Sequence, residues 1–396
     1  MMFLPKNSRP RWEIFCRVVD NFGDIGVCWR LACDLALRGE GAVRLWVDDW
    51  SVLGRICPPA RALDPECGGV VAGVELRHWG EPFPVLAPGE VVIEAFACEL
   101  PEVHLQAMAG QTRRPVWINL EYLSAEDWVA GCHGLASPHP RLPLVKHFFF
   151  PGFDIDSGGL LREANLLARR AAFVGDPARR SAWLAERGLE WAAADSLRVS
   201  LFAYEQPGLA ALVGAWQGGG RAVELLVPES RVLGDLARTL GVDALRVGDR
   251  LQRGRLGVQV LPFTDQAGYD ELLWACDLNF VRGEDSFVRA QWAAKPFVWQ
   301  IYPQTGAAHR DKLDAFLGRY LAGAAPAPAA ALAALWQAWN GFGASPAALA
   351  QAWPAFAEAL PALDAHARRW CERLAAGEDL VTRLTRFCSH IEAVAR

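Results

Sequence analysis

Short apolar runs alternate with helical segments through most of this chain, and that alternation commits it to an α/β architecture. Residues 14–19, 43–47, 70–76, 91–96 and 116–120 read as strands. Short helices separate them, so the order implies βαβ units and a parallel sheet. A second series begins at residue 197, with apolar runs at 197–202, 223–227, 256–261, 277–281 and 296–301. It carries no sequence repeat of the first. Two Rossmann-like units fit the 396 residues, and the helical, Ala- and Arg-rich stretch 157–196 reads as a connector. Residues 321–331, rich in Ala and Pro, read as a surface linker. The aromatic patch 148–153 reads as a packed loop.

Each series contains one charged turn where a strand hands over to a helix. In the first, Asp20-Asn21-Phe22-Gly23-Asp24-Ile25-Gly26-Val27 precedes a helix expected from Cys28 to Arg38 and closed by Gly39. Ligands of open α/β sheets bind beyond the carboxyl ends of the strands, where this turn lies. Asp20 and Asp24 are therefore candidate functional carboxylates. A purely structural reading makes Asp24 a helix cap and Asp20 the end of the strand. The G-x-G-x-x-G dinucleotide fingerprint is absent, which disfavours a dehydrogenase.

The second turn, Arg282-Gly283-Glu284-Asp285-Ser286-Phe287, also opens a helix. A guanidinium, a hydroxyl and helix-start N–H groups suit a diphosphate. The structural alternative is an N-cap at Asp285 and a local Arg282–Glu284 ion pair. Phe202, Tyr204 and Phe263 follow neighbouring strands and could stack a base. Glu94 interrupts a buried run near a strand end. It reads either as a carboxylate facing the acceptor or as half of a structural ion pair. Tyr122, after the fifth strand, is a second candidate acceptor contact.

Composition removes several functions. A net charge of −5 argues against general nucleic-acid binding. No apolar run is long enough to span a membrane and no secretory signal is visible, so a cytoplasmic protein is expected. The ten cysteines include no C-x-x-C pair and read as reduced thiols. His133, His139 and His147 lack metal-ligand spacing, so no metal site is expected. The 17 tryptophans read mainly as core or groove residues.

Two α/β halves with facing charged turns describe a nucleotide-sugar glycosyltransferase, with the donor on the second half and the acceptor and base on the first. Three blocks then carry a resemblance. Residues 20–32, the run Leu261-Pro262-Phe263-Thr264-Asp265-Gln266 and residues 282–292 resemble the signatures of the EarP family of EF-P arginine rhamnosyltransferases. The resemblance implies a GT-B fold of two Rossmann-like domains facing across a cleft. It implies transfer of L-rhamnose from dTDP-β-L-rhamnose to one arginine of translation elongation factor P (EF-P), with inversion, without a metal and without a cofactor.

By the same resemblance Asp24 matches the general base, and Asp20 and Glu284 are further acids of the reaction. Phe202, Tyr204, Phe263, Gln266, Arg282, Glu284, Asp285, Ser286 and Tyr302 match positions around the donor. Asn21, Phe22 and Gly23 are grouped with them. The expected domains are 1–165 for the acceptor, completed by a helix over 361–396, a connector over 166–196, and 197–360 for the nucleotide sugar. The competing readings are a GT-B enzyme acting on a small molecule or glycan, and a non-catalytic nucleotide-binding module.

Overall fold

The computed structural model describes residues 9–394 apart from 21, 85, 190–194, 304–307, 344 and 346. The chain divides into two compact units. The first comprises residues up to Ala164 together with the chain from Ala375, and the second runs from Asn165 to Leu374.

In chain order the first unit contains β1 (Trp12–Cys16), α1 (Gly23–Arg38), β2 (Val43–Val47), α2 (Trp50–Ile56), β3 (Gly69–Val71), β4 (Val74–His78), β5 (Val91–Ala95), α3 (Glu102–Gly110), β6 (Val116–Leu120), α4 (Val129–Cys132), β7 (Ala136–Pro138) and β8 (Val145–Phe149). They form one sheet in the order β3-β4-β2-β1-β5-β6-β8-β7. Its six inner strands are parallel, and β3 and β7 pair antiparallel at the two edges. The chain starts at β1 and then builds outward on both sides. The strand order therefore reverses between β1 and β5, which places a crevice at their carboxyl ends. Phe15, Trp46, Val92, Met108 and Trp117 pack into one buried cluster.

Three local expectations change here. The apolar run 70–76 is a hairpin and not one strand, because Ala72 and Gly73 take φ of +51° and +80° and turn the chain. Phe148 and Phe149 belong to β8, paired with β6 in register Asn119 to Phe148, so the aromatic patch starts inside the sheet. The first helix begins at Gly23, five residues before Cys28. Its opening turn includes the Gly26 N–H donating to the Phe22 carbonyl at 2.9 Å. It ends as expected at Gly39, with φ +68°.

The second unit contains α5 (Leu166–Gly175), α6 (Pro177–Glu186), β9 (Leu197–Leu201), α7 (Leu209–Gly218), β10 (Val223–Pro228), α8 (Val232–Leu240), β11 (Arg250–Arg253), β12 (Leu256–Leu261), α9 (Gln266–Ala275), β13 (Leu278–Arg282), α10 (Asp285–Ala293), β14 (Phe297–Gln300), α11 (Ala308–Tyr320), α12 (Pro326–Trp339) and α13 (Ala348–Ala375). The sheet order is β11-β12-β10-β9-β13-β14. Only β11 is antiparallel. The order reverses between β9 and β13, so their carboxyl ends flank the equivalent crevice.

The connector helices belong to this unit. Phe173 of α5 packs on Trp183 and Trp274. Most of the expected linker is helical: Pro326 and Ala-rich turns open α12, whose Leu332, Leu335, Trp336 and Trp339 are buried. Trp336 and Trp370 join Phe297, Phe316 and Tyr320 in an aromatic core. Trp46, Trp216, Trp292, Trp336 and Trp339 are among the largest fully buried side chains, so these tryptophans are core material.

α13 runs through Pro354 and Pro361 without interruption. Its buried stripe, including Phe356, Leu363, His366 and Trp370, holds it to the second unit. The return to the first unit therefore starts at Ala375 and not at 361. The returning element is α14 (Leu380–Val394). Arg38 of α1 holds its start through Asp379 (3.0 Å) and Thr382 (3.0 Å). Phe387 packs on His133 and Phe149.

No helix among the described residues is long and apolar enough to cross a membrane. All ten cysteines are free thiols.

Candidate active site

The first charged turn folds around Asp24. This residue is 2% exposed and lies in the first turn of α1, where the helix dipole favours a carboxylate. Its Oδ2 accepts the N–H groups of Val19 and Asp20, each at 2.8 Å. Its Oδ1 accepts the hydroxyl of Tyr122 at 3.1 Å. Asp24 thus closes the loop and presents one oriented carboxylate. It does not cap the helix from outside, since Phe22 occupies the N-cap position without a side-chain bond.

Asp20 stays beside it. The Gly23 N–H donates to the Asp20 carbonyl at 2.7 Å, and a Cβ on Gly23 would come within 2.9 Å of Asp20 Oδ2. Only glycine leaves that carboxylate its place. Asn21 falls outside the described residues. The ring of Phe22 lies under Arg55, 5.5 Å from its guanidinium carbon, so it takes part in a contact within the first unit.

Glu94 resolves as a structural residue. It is 1% exposed, and its oxygens accept the Glu99 N–H (3.1 Å), the Trp117 indole (3.1 Å) and Lys146 (3.3 Å). This is the ion-pair alternative, with its polar capacity spent inside the unit. Tyr122 is 37% exposed and bonded to Asp24, so the structure does bring it to the carboxylate.

In the second unit the strand reversal brings the ends of β9 and β13 together. Arg282, at the end of β13, is 5% exposed. Its guanidinium carbon lies 4.7 Å from the Phe202 ring centre and 4.3 Å from that of Tyr204. Arg282 thus lies over two of the rings that the sequence offered as a stack for a base. Tyr204 is fixed by its N–H on Gln300 Oε1 (2.9 Å) and packs on Tyr302. Tyr302 is 43% exposed.

The late turn is also self-braced. Gly283 takes φ +60°, and the Trp299 indole donates to its carbonyl at 2.7 Å. Ser286 accepts the Arg282 N–H at 3.1 Å and donates to the Arg282 carbonyl. Its hydroxyl braces the turn from within. Glu284 occupies the N-cap position of α10 and makes no side-chain cap, and Asp285 is the first helical residue. The N-cap that the structural alternative placed at Asp285 is therefore absent. Phe263 and Gln266 flank the start of α9, which Asp265 caps through the Gly268 N–H (2.8 Å).

Sequence reading missed Tyr269. Its ring meets Phe202 edge-on at 5.5 Å. Its hydroxyl is buried beside Ser286, and that burial, with Asp285 and Asp270 nearby, pushes its pKa well up. It stays a neutral phenol next to the arginine. The signal was its place one turn into the helix that follows Phe263.

Among the described residues no three His, Cys, Asp or Glu side chains are grouped to hold a metal ion. The first unit thus presents the Asp24 and Asp20 carboxylates, and the second presents Arg282 braced on two aromatic rings.

Comparison with known proteins gives the family. The family model of the elongation factor P (EF-P) rhamnosyltransferase EarP matches residues 12–389. A protein-arginine rhamnosyltransferase of Pseudomonas putida is 50% identical over 377 residues, covering 95% of this chain and 98% of its own. One from Shewanella oneidensis is 44% identical over 396 residues, covering 96% and 98%. A solved structure described as the structural basis for EarP-mediated arginine glycosylation of translation elongation factor EF-P superposes with a TM-score of 0.69 at 36% identity. It covers 96% of this chain and 99% of its own. The spinosyn rhamnosyltransferase SpnG, at 11% identity and a TM-score of 0.51 over 94% of this chain and 98% of its own, shares the fold alone. The chain is a glycosyltransferase of the GT-B fold and belongs to the EarP family of EF-P rhamnosyltransferases.

Proposed function

We propose that this chain transfers L-rhamnose from dTDP-β-L-rhamnose to one arginine side chain of EF-P, with inversion and without a metal or other cofactor. What supports this reading most is the setting of Asp24. A buried carboxylate held by two backbone N–H groups and a phenol is a fixed acceptor for a proton. Relatives of about half identity over nearly the whole length bear the rhamnosyltransferase name.

A guanidinium has a pKa of about 12.5 or above and is a poor nucleophile until a proton is removed. In the proposed step a guanidine nitrogen attacks the anomeric carbon and forms the N–C bond. The bond from that carbon to the diphosphate oxygen breaks, and its electron pair leaves with dTDP. Asp24 takes the proton of the attacking nitrogen. Asp20 balances the cationic acceptor meanwhile. One displacement inverts the centre, so the β-linked donor gives an α-rhamnosyl arginine.

Arg282, stacked on Phe202 and Tyr204, is the group that meets the charge growing on the diphosphate. A guanidinium and the start of α10 supply what a divalent ion would otherwise supply. Glu284, Asp285, Phe263, Gln266 and Tyr302 complete the donor side in this reading. The reaction belongs in the cytoplasm, where free cysteines persist.

The test is nucleotide release from dTDP-rhamnose in the presence of a chelator. The proposal requires release that depends on EF-P and survives chelation. Release without EF-P, or release driven by a small-molecule acceptor, would point to the other glycosyltransferase reading.

A further inference from the structure

Resting on the function proposed above, we propose that Tyr122 positions the acceptor: its ring is the platform for the arginine guanidinium, and its hydroxyl orients Asp24 for the proton. The ring of Tyr122 lies on that of Phe96, with centroids 4.3 Å apart and planes 16° apart. One face is covered by Phe96, yet Tyr122 remains 37% exposed. Its hydroxyl is 3.1 Å from Asp24 Oδ1. One side chain therefore joins an accessible aromatic ring to the carboxylate that takes the proton.

The chain goes to unusual lengths to put Phe96 in that place. Phe96, Ala97 and Glu99 take φ of +57°, +53° and +57°. Side chains with a Cβ adopt this region only where their surroundings impose it. Here the surroundings do impose it. The Phe96 N–H donates to the Leu120 carbonyl at 2.7 Å, the Ala97 N–H to Asn119 Oδ1 at 3.2 Å, and the Glu99 N–H to Glu94 Oε1 at 3.1 Å. The buried Glu94 with its Lys146 and Trp117 partners is the foundation of this loop. Strain of this kind concentrates at sites that hold a ligand or a reacting group.

A guanidinium is flat, weakly hydrated and attracted to the face of an aromatic ring. Laid on the exposed part of the Tyr122 ring, it has its N–H edge turned toward the carboxylate that the phenol contacts. An ammonium lacks that plane, which makes the platform selective for arginine over lysine. The ring and the hydroxyl have separable tasks. The ring binds the acceptor, and the hydroxyl holds Asp24 Oδ1 in the orientation that receives the proton.

Steady-state transfer onto EF-P by Tyr122→Leu and Tyr122→Phe separates these tasks. Tyr122→Leu should raise the KM for EF-P about tenfold, the size expected for a desolvated cation–π contact. Tyr122→Phe should keep that KM within about twofold and lower kcat about tenfold. Affinity for dTDP should match wild type in both. A wild-type KM in Tyr122→Leu, a wild-type kcat in Tyr122→Phe, or equal losses of both constants in the two variants would overturn the proposal. Wild-type protein that transfers nothing to EF-P would instead overturn the function on which it rests.

Discussion

The guanidinium of Arg282 lies 4.3 Å from the ring centre of Tyr204. These residues are far apart in sequence and meet because β9 and β13 are neighbours in the sheet. Tyr204 is itself held by Gln300. The cation is therefore fixed by the fold itself, and in the proposed reaction a fixed cation stabilises growing charge without reorganisation.

Arg282→Lys keeps the charge and loses the plane that stacks on two rings. Affinity for dTDP should fall roughly tenfold to thirtyfold, read by calorimetric titration. Tyr204→Leu, which removes one of the two supporting rings, should cost about fivefold in the same titration.

Asp24→Asn and Asp24→Ala should differ in stability and agree in activity. Asparagine can keep an oxygen on the Val19 and Asp20 N–H groups and turn its amide toward Tyr122, so the loop survives. Its unfolding midpoint should stay near wild type while transfer is lost. Alanine leaves two backbone donors without their acceptor and should cost roughly 1–3 kcal/mol, measured by denaturant unfolding.

Glu94 carries a prediction about folding and not about acceptor contact. Glu94→Ala strips the Glu99 N–H, the Trp117 indole and Lys146 of their common acceptor. The expected loss is about 2–4 kcal/mol by urea unfolding, held to that range because the Lys146 side chain remains 24% exposed.

How much of this was legible in the sequence depends on the distance over which each feature is decided. β2 and β6 match the predicted strands residue for residue, because a buried parallel strand is written as a nearly continuous apolar run, broken here only by Arg44 and Asn119. The start of α1 was misplaced because Gly23 and Gly26 look like loop residues. In fact Asp24 reaches back to the loop and lets the helix begin early. Only the first turn of α12 hid in the Ala- and Pro-rich stretch, since a helix is readable from Ala329 to Trp339, although Pro326 fits a first helical turn. The Asp24 turn and the Arg282 turn were both readable as charged strand-to-helix junctions. The partners of those charges were not. Tyr122 on Asp24, Phe202 on Arg282 and Tyr269 near Ser286 depend on strand order, which no local pattern encodes.

His366 gives the pH dependence. It is buried with Nε2 2.6 Å from the Tyr320 carbonyl. Burial lowers its pKa below 6.5, the Tyr320 contact raises it in part, and Arg369 and Arg373 lower it further. The folded chain thus binds fewer protons than the unfolded chain below pH 6.5. Its stabilisation is complete above that value and is lost as pH falls toward the lowered folded value. His133 and His147, lowered mainly by burial, act in the same direction. Urea midpoints at about pH 7.5 and about 5.5 should differ less in His366→Gln than in wild type.

The most direct measurement is the intact mass of EF-P after incubation with dTDP-rhamnose and either wild-type protein or Asp24→Asn. Wild type should add the mass of one deoxyhexose, localised to a single arginine, and Asp24→Asn should add none. No gain with wild type, or an equal gain with Asp24→Asn, would contradict the account.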